Sequence, residues 1–125
     1  MIFGIGTDIV KVQRMSENLE KHGDRFAQRI LSDVEYSEFS SNINQAAFLA
    51  KRFAAKEAAV KALGTGFRNG ISMKHISISH DDLGKPILVF SDVAKEAIEH
   101  KQICSSHISI ADEEDFAVAY VVLEN

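Results

Sequence analysis

The amino-acid sequence predicts an α+β fold in which a mainly antiparallel sheet packs against a long Ala-rich helix. Patterns with helical spacing fill most of the first half of the 125 residues, whereas alternating strand patterns dominate the second half. One further strand pattern opens the chain. Helices and strands that are segregated in this way are typical of α+β domains rather than of alternating α/β domains. No linker interrupts the pattern, so residues 1–125 are predicted to form a single domain.

Composition excludes several classes of protein. Hydrophobic residues make up 46% and charged residues 26% of the chain, which excludes a disordered or fibrous protein, and no apolar run approaches the length of a membrane span. The net charge of -4 argues against a general nucleic-acid binder. The charge is unevenly spread, with 10 basic and 8 acidic side chains in residues 1–69 and 4 basic and 10 acidic side chains in residues 70–125. Any affinity for anionic partners is therefore expected in the first half.

The N-terminus and the cysteine usage indicate a compartment. The opening residues lack the basic start and the small-residue cleavage site of a signal peptide, and Cys104 is the only cysteine. We therefore expect a cytoplasmic protein in which Cys104 acts as a small hydrophobic core residue.

The first half is predicted as one strand followed by helices. Met1–Val10 alternates as a strand and places Gly4, Gly6 and Asp8 on one face. The helical segments that follow are Lys11–His22 ending at Gly23, a helix beginning at Asp24, a short helix over Ser32–Phe39, and the longest element, Asn42–Leu63, ending at Gly64.

The second half is predicted as two strand pairs separated by a helix. The segments are a strand over His75–Ser79, a partner strand over Pro86–Phe90, a helix that Ser91 caps and that runs to about Gln102, and a final hairpin of His107–Ala111 and Phe116–Leu123.

Asp8 is an acidic residue inside an otherwise apolar strand. A buried carboxylate is costly unless it is paired, hydrogen-bonded or bound to a metal. One interpretation is that Asp8 caps the following helix; the other is that it belongs to a site. Gly4 and Gly6 favour the second interpretation, because glycine permits close approach of a ligand or of another backbone.

The long helix carries charges in several directions around an otherwise apolar surface. Lys51, Arg52, Lys56, Glu57 and Lys61 are spread around its circumference, so several of them are expected to point into enclosed space. Glu57 and Lys61 are four residues apart and therefore neighbours. They are either a solvent-exposed ion pair or part of a site.

Two further features leave alternatives open. The glycine-rich segment from Gly64 to Gly70 follows a helix and precedes a strand, which is the wrong order for a P-loop. It is either a helix end with a flexible turn or a loop whose amides reach a phosphate held by Lys61. His107 either faces solvent or lines a cleft.

A basic stripe follows the first strand. Its members would share one face if helical geometry continued past Gly23, and they are Lys11, Arg14, Lys21, Arg25 and Arg29. The stripe is either a solvated surface or a docking surface for an acidic helix or a phosphate chain.

Two motifs together resemble those of the holo-[acyl-carrier-protein] synthases, the small phosphopantetheinyl transferases. They are Gly4-Ile-Gly-Thr-Asp8-Ile9 and Arg52-Phe-Ala-Ala-Lys-Glu57-Ala-Ala-Val-Lys61-Ala-Leu-Gly-Thr-Gly66. The resemblance covers nearly the whole chain. Further matching segments, in order, are Arg14, Arg25-Phe-Ala27, Arg29-Ile-Leu31, Gly84-Lys-Pro86, His107-Ile-Ser-Ile, Phe116-Ala117 and Val121-Val122-Leu-Glu124.

The resemblance implies transfer of 4′-phosphopantetheine from coenzyme A to a serine of an apo acyl carrier protein, with release of 3′,5′-ADP. It implies Mg²⁺ and a homotrimer with sites between subunits. Asp8 and Glu57 match the metal-binding carboxylates of the family, and Mg²⁺ favours a few carboxylates together with diphosphate oxygens and water. By the same resemblance, Lys61 lies at the phosphates and Glu57, directly or through a metal-bound water, is the base for the carrier serine.

The remaining site residues are implied in the same way. Arg52, Gly64, Pro86 and His107 match positions that surround the nucleotide end of coenzyme A. The stripe that starts at Arg14 and includes Lys21 and Arg25 matches the carrier-docking helix.

Two positions depart from the family pattern. Val60 and Ala111 replace small or hydroxyl-bearing residues that many relatives have there, so a hydroxyl contact is absent at both.

Two other interpretations remain at this point. The chain could be a non-catalytic subunit that binds coenzyme A or a nucleotide, or a structural oligomer without a ligand. A non-catalytic binder has no need of two carboxylates beside phosphates. A structural oligomer without a ligand predicts that Glu57 and Lys61 form a plain surface ion pair.

Overall fold

A computed structural model describes residues 1–125 and confirms the α+β class. It contains five strands, five α-helices and one 3-10 turn at Met73–His75. In chain order the elements are β1 (Ile2–Lys11), α1 (Val12–His22), α2 (Asp24–Ile30), α3 (Asp33–Ser40), α4 (Gln45–Leu63), β2 (Ile76–His80), β3 (Pro86–Phe90), α5 (Asp92–His100), β4 (Ser105–Asp112) and β5 (Phe116–Glu124).

The strands form two separate antiparallel sheets. One sheet has three strands in the order β1-β5-β4, and the other is the β2–β3 hairpin. All strand pairs are antiparallel, as predicted. The first strand of the chain therefore lies beside the last one, with Asp8 paired opposite Ala119 and Gly4 opposite Leu123.

Helix α4 lies directly on the inner face of the three-stranded sheet. A Cβ atom at Gly6 would be 2.0 Å from the Ala58 carbonyl oxygen, and one at Gly4 would be 2.1 Å from the Ala62 carbonyl oxygen. The two glycines thus admit the backbone of α4 rather than a ligand. This contact fixes the spacing between β1, which carries Asp8, and the helix face next to it.

Most predicted boundaries agree with the structure to within a few residues, and the exceptions have local causes. Helix α4 begins three residues after Asn42, because the Asn44 side chain accepts a hydrogen bond from the Ala47 amide at 3.2 Å and caps the helix there. Ser91 does not cap α5 with its side chain; its hydroxyl instead donates to the His75 carbonyl oxygen at 3.2 Å.

The outer face of the three-stranded sheet is apolar and open. Ile5 and Ile9 of β1 are 56% and 62% exposed, and Val118 and Tyr120 of β5 are 37% and 46% exposed. No element of the chain covers this face.

The prediction for Cys104 was wrong: it is exposed rather than in the core, because it lies in the turn before β4.

None of the helices is both long enough and apolar enough to span a membrane.

Candidate active site

Asp8 and Lys61 form an ion pair between β1 and α4. The Lys61 Nζ lies 3.0 Å from Asp8 Oδ1 and donates a second hydrogen bond to the Thr7 carbonyl oxygen at 3.0 Å. Helix α1 has no side-chain cap at its N-terminus, so Asp8 does not serve as a helix cap. Lys61 pairs with Asp8 rather than with Glu57, which excludes the simple surface pair along one helix.

Glu57 is half-buried on the same side of α4, close to both members of this pair. Burial, with the negative charge of Asp8 as a second cause, raises the pKa of Glu57 above its usual range. Lys61 and Arg14 act in the opposite direction. Two carboxylates and two cations from β1, α1 and α4 therefore lie close together, and burial and Asp8 outweigh the two cations in their effect on the pKa of Glu57.

The donor set at this point fits a magnesium ion. A carboxylate whose ionised form is disfavoured by a second carboxylate is stabilised by a bound divalent cation. The structure has no group of three or more His, Cys, Asp or Glu side chains arranged to hold a metal. Asp8 and Glu57 alone suit Mg²⁺, which commonly takes one or two carboxylates and completes its shell with water and substrate phosphate.

The structure brings Arg52 and Pro86 together in a cleft of about 180 Å³. The Arg52 guanidinium stacks 4.4 Å from the Phe48 ring centroid and lies 3.4 Å from Glu38 Oε2. Its Nε is buried without a hydrogen-bond partner. The other residues that line the cleft are Lys51, His80, Gly84, Ile110 and Asp112. Sequence reasoning did not assign Lys51, His80 or Asp112 to a site. Lys51 belongs to α4, and only the folded hairpin and β4 bring His80 and Asp112 beside it.

Gly64 does not lie in that cleft. It ends α4 in the left-handed conformation at φ 81°, and its amide donates to the carbonyl oxygens of Val60 and Lys61 at 3.1 Å. The Gly66 amide also donates to Val60. Both amides therefore terminate the helix, which agrees with the interpretation of this segment as a helix end followed by a turn. At 1.5 Å per residue, Gly64 and Arg52 are about 18 Å apart along the helix axis.

His107 lies on the open outer face of the sheet and does not line the cleft of Arg52 and Pro86. Its side chain is exposed and its Nε2 is hydrogen-bonded to Glu124 Oε1. This hydrogen bond is the main cause of the lowered pKa of Glu124. The four residues expected around the nucleotide therefore lie at three separate places in one chain: Arg52 and Pro86 in the cleft, Gly64 at the end of α4, and His107 on the outer sheet face.

The basic stripe is divided in two. Gly23, at φ 64°, breaks the helix between α1 and α2, but the division of the stripe lies within α1, between Arg14 and Lys21. Lys21, Arg25 and Arg29 line one depression with His22. Lys11 and Arg14 line another with Gln13 and Glu17. Arg14 is the member close enough to Glu57 to affect its pKa.

Sequence reasoning expected buried charges on α4 but did not identify their partner. Lys56 is fully buried and pairs with Glu35, which is 1% exposed, at 2.6 Å. Burial lowers the pKa of Lys56, and Glu35 opposes that effect. The two residues are 21 positions apart, and no local spacing rule connects them.

Comparisons with known proteins identify the family of the chain. Residues 4–121 match the 4′-phosphopantetheinyl transferase superfamily. The chain is 48% identical over 124 residues to a holo-[acyl-carrier-protein] synthase of Nitrosospira multiformis, covering 99% of both chains. The crystal structure of holo-[acyl-carrier-protein] synthase from Neisseria meningitidis is similar to it with a TM-score of 0.95, at 45% identity and 100% coverage of both chains.

A third relative was solved with a ligand. It is a holo-(acyl-carrier-protein) synthase from Bacillus anthracis in complex with CoA (3′,5′-ADP), with a TM-score of 0.83, 39% identity, and coverage of 100% of this chain and 98% of that one. With matches of this extent in sequence and in structure, the chain belongs to the 4′-phosphopantetheinyl transferase superfamily, among the holo-[acyl-carrier-protein] synthases.

Proposed function

We infer that this chain is an enzyme that transfers 4′-phosphopantetheine from coenzyme A to a serine of an apo acyl carrier protein and releases 3′,5′-ADP. The observation that carries the inference is the convergence of Asp8, Glu57 and Lys61, next to Arg14 and the basic depression beyond it. Membership of the family and the coenzyme A complex of the relative from Bacillus anthracis supply the substrates.

Asp8 and Glu57 are the proposed magnesium ligands. A bound Mg²⁺ would supply Lewis-acid stabilisation of the diphosphate charge. In the proposed reaction the carrier serine oxygen bonds to the phosphorus that bears pantetheine, and the bond from that phosphorus to the oxygen of the departing 3′,5′-ADP breaks. Glu57, as an ionised carboxylate, accepts the serine proton and acts as the general base.

Lys61 is the residue proposed to act on the phosphates. An ammonium group has three protons, and the contacts with Asp8 and with the Thr7 carbonyl use two of them. The side chain is 52% exposed, so the third proton faces outward. We propose that it donates to the diphosphate and stabilises the charge that develops on the leaving group.

The proposed coenzyme A site extends between subunits. Arg52 and Pro86 are assigned to the nucleotide end, together with Gly64 and His107. About 18 Å of helix separates Arg52 from Gly64, and His107 lies on the open sheet face. A single site that uses all four residues therefore requires a neighbouring chain.

The open apolar face is the proposed interface of a homotrimer. An uncovered patch formed by Ile5, Ile9, Val118 and Tyr120 is more typical of a subunit interface than of a solvated surface.

The proposed carrier-docking residues, Arg14, Lys21 and Arg25, are complementary to an acidic helix. We place the reaction in the cytoplasm, whose reducing conditions suit an exposed free cysteine.

A transfer assay tests the proposed function. The protein is incubated with coenzyme A, Mg²⁺ and an apo acyl carrier protein, and the intact mass of the carrier is measured. We expect the carrier to gain one 4′-phosphopantetheine, and a carrier whose acceptor serine is replaced by alanine to gain none. An unchanged mass with several carriers would contradict the enzymatic function and favour a non-catalytic coenzyme A binder.

A further inference from the structure

We propose that Lys56 is a positioning residue that holds the end of α2, beside the carrier-docking arginines, in register with the catalytic side of α4. The proposal rests on the proposed function, since it concerns how carrier docking is coupled to transfer. Lys56 directly precedes Glu57 in α4, and its side chain points about 100° away from that of Glu57 around the helix axis.

The Lys56 ammonium has no proton left for a substrate. It donates to the Ile30 carbonyl oxygen at 2.6 Å, to Glu35 Oε1 at 2.6 Å and to the Met73 carbonyl oxygen at 3.0 Å. These three bonds use all the donors of an ammonium group. Its side chain is 0% exposed. Lys56 therefore cannot contact coenzyme A or the carrier and acts only through the segments that it joins.

Glu35 extends the connection to the rest of the domain. Its Oε1 also accepts from the Ser32 amide at 3.0 Å, which completes the cap of α3. Its Oε2 accepts from the Ile78 amide of β2 at 3.0 Å and lies 3.6 Å from Arg52 Nε. One buried ion pair thus joins α2, α3, α4, the 3-10 turn and β2.

The position of the bonds gives this pair a functional consequence. Ile30 is the last residue of α2, the helix that carries Arg25 and Arg29. A buried ion pair is weak as a source of stability, because desolvation of the two charges offsets much of their attraction. Its directional bonds, in contrast, permit one relative placement of the helices. We therefore expect that removing the Lys56–Glu35 pair weakens the contribution of Arg25 to carrier binding and transfer. A substitution elsewhere that lowers the stability of the fold equally should not have this effect.

The test compares the effect of Arg25→Ala in two backgrounds. Lys56→Met alone leaves the Glu35 charge without its main partner and risks unfolding, so the altered background is Lys56→Met with Glu35→Gln, which removes both charges. We expect Arg25→Ala to raise the KM for apo carrier about tenfold in the wild type and less than threefold in the altered background. Arg25→Ala should also raise the Kd for apo carrier, measured without coenzyme A, by about tenfold in the wild type and by less than threefold in the altered background. An equal effect of Arg25→Ala in both backgrounds would overturn the proposal.

Leu123→Ala provides the matched control. Leu123 is fully buried in β5 opposite Gly4, so its truncation lowers stability without touching the Lys56 bonds. In this background Arg25→Ala should keep its full effect; if its effect also shrinks, the coupling reflects general loosening and the proposal fails. Absence of transfer and of carrier binding in the wild type would instead refute the proposed function and, with it, this role of Lys56.

Discussion

Lys61 reaches from α4 to Asp8 on β1, at 3.0 Å, although Glu57 lies one turn away on its own helix. The close contact of β1 with α4 at Gly4 and Gly6 brings the aspartate within reach. Lys61 is bound to Asp8 and to the Thr7 carbonyl oxygen and forms no salt bridge with Glu57, so Lys61 and Arg14 offset only part of the effect of burial on Glu57. This arrangement explains why burial and Asp8 dominate the pKa of Glu57.

Replacement of Lys61 by methionine tests its role at the phosphates. We expect Lys61→Met to lower kcat/KM by about 10- to 100-fold, since a charge-assisted hydrogen bond to a phosphate is lost. Lys61→Arg should recover part of the loss. Lys95→Met, which removes an exposed lysine of α5, is the control and should leave kcat/KM unchanged. Equal effects of the two methionine variants would contradict the assignment.

The ionisation of Glu57 should reduce the stability of the fold. A carboxyl group with a raised pKa binds its proton more tightly in the folded chain than in the unfolded one, so stability is lost as the pH rises from about 4.5 through the raised pKa. Glu57→Gln removes this loss. We therefore expect the variant to gain stability relative to the wild type between pH 4.5 and pH 7, modestly because the side chain is partly solvated.

Urea unfolding at both pH values, with transfer measured in parallel, checks this prediction. Transfer by Glu57→Gln should fall by about 100-fold or more, as for the loss of a general base. A variant that is less stable than the wild type at neutral pH but not at acidic pH would show that the carboxylate stabilises the fold.

Gly6 tests the contact between β1 and α4. An added methyl group would lie 2.0 Å from the Ala58 carbonyl oxygen and 2.6 Å from the Ala62 amide nitrogen, both of which are backbone atoms with little freedom to move. We expect Gly6→Ala to lower the free energy of unfolding by about 3 kcal/mol and Tm by about 10 °C. Ser109→Ala, on the outer face of β4, should change Tm little. A Gly6→Ala variant with an unchanged Tm would contradict the packing described here.

The open sheet face tests the proposed trimer. Val118→Arg introduces a charge in the middle of the apolar patch and should convert a trimer into a monomer, as measured by light scattering coupled to gel filtration. Val34→Arg on α3 adds the same charge at a position that is 71% exposed, and it should leave the oligomer intact. A wild-type chain that is monomeric at all concentrations would refute the trimer.

Most of the fold was predictable because its signals are local. Alternation in β1, the Ser32 cap of α3 and the glycine at the end of α4 are all visible within a few residues. Resemblance to the family supplied Asp8, Glu57 and Lys61, and the structure places these three together.

The rest depends on contacts between distant segments. Gly4 and Gly6 left two interpretations open, and only the packing of α4 decided between them. Glu35 gave no sign of its role, because its partner Lys56 is brought near by the folding of three helices. The spacing of the basic stripe did not show that Lys21 and Arg25 lie together across the break at Gly23 whereas Arg14 lies apart from them.

The claim that Asp8 and Glu57 share one divalent cation is tested most directly in crystals grown with coenzyme A and Mn²⁺ in place of Mg²⁺. An anomalous difference map locates the manganese without reference to the protein atoms. We predict one peak bound by a carboxylate oxygen of Asp8 and a carboxylate oxygen of Glu57, and no such peak in Glu57→Gln crystals. Manganese bound elsewhere, with the two carboxylates turned away from each other, would contradict the account.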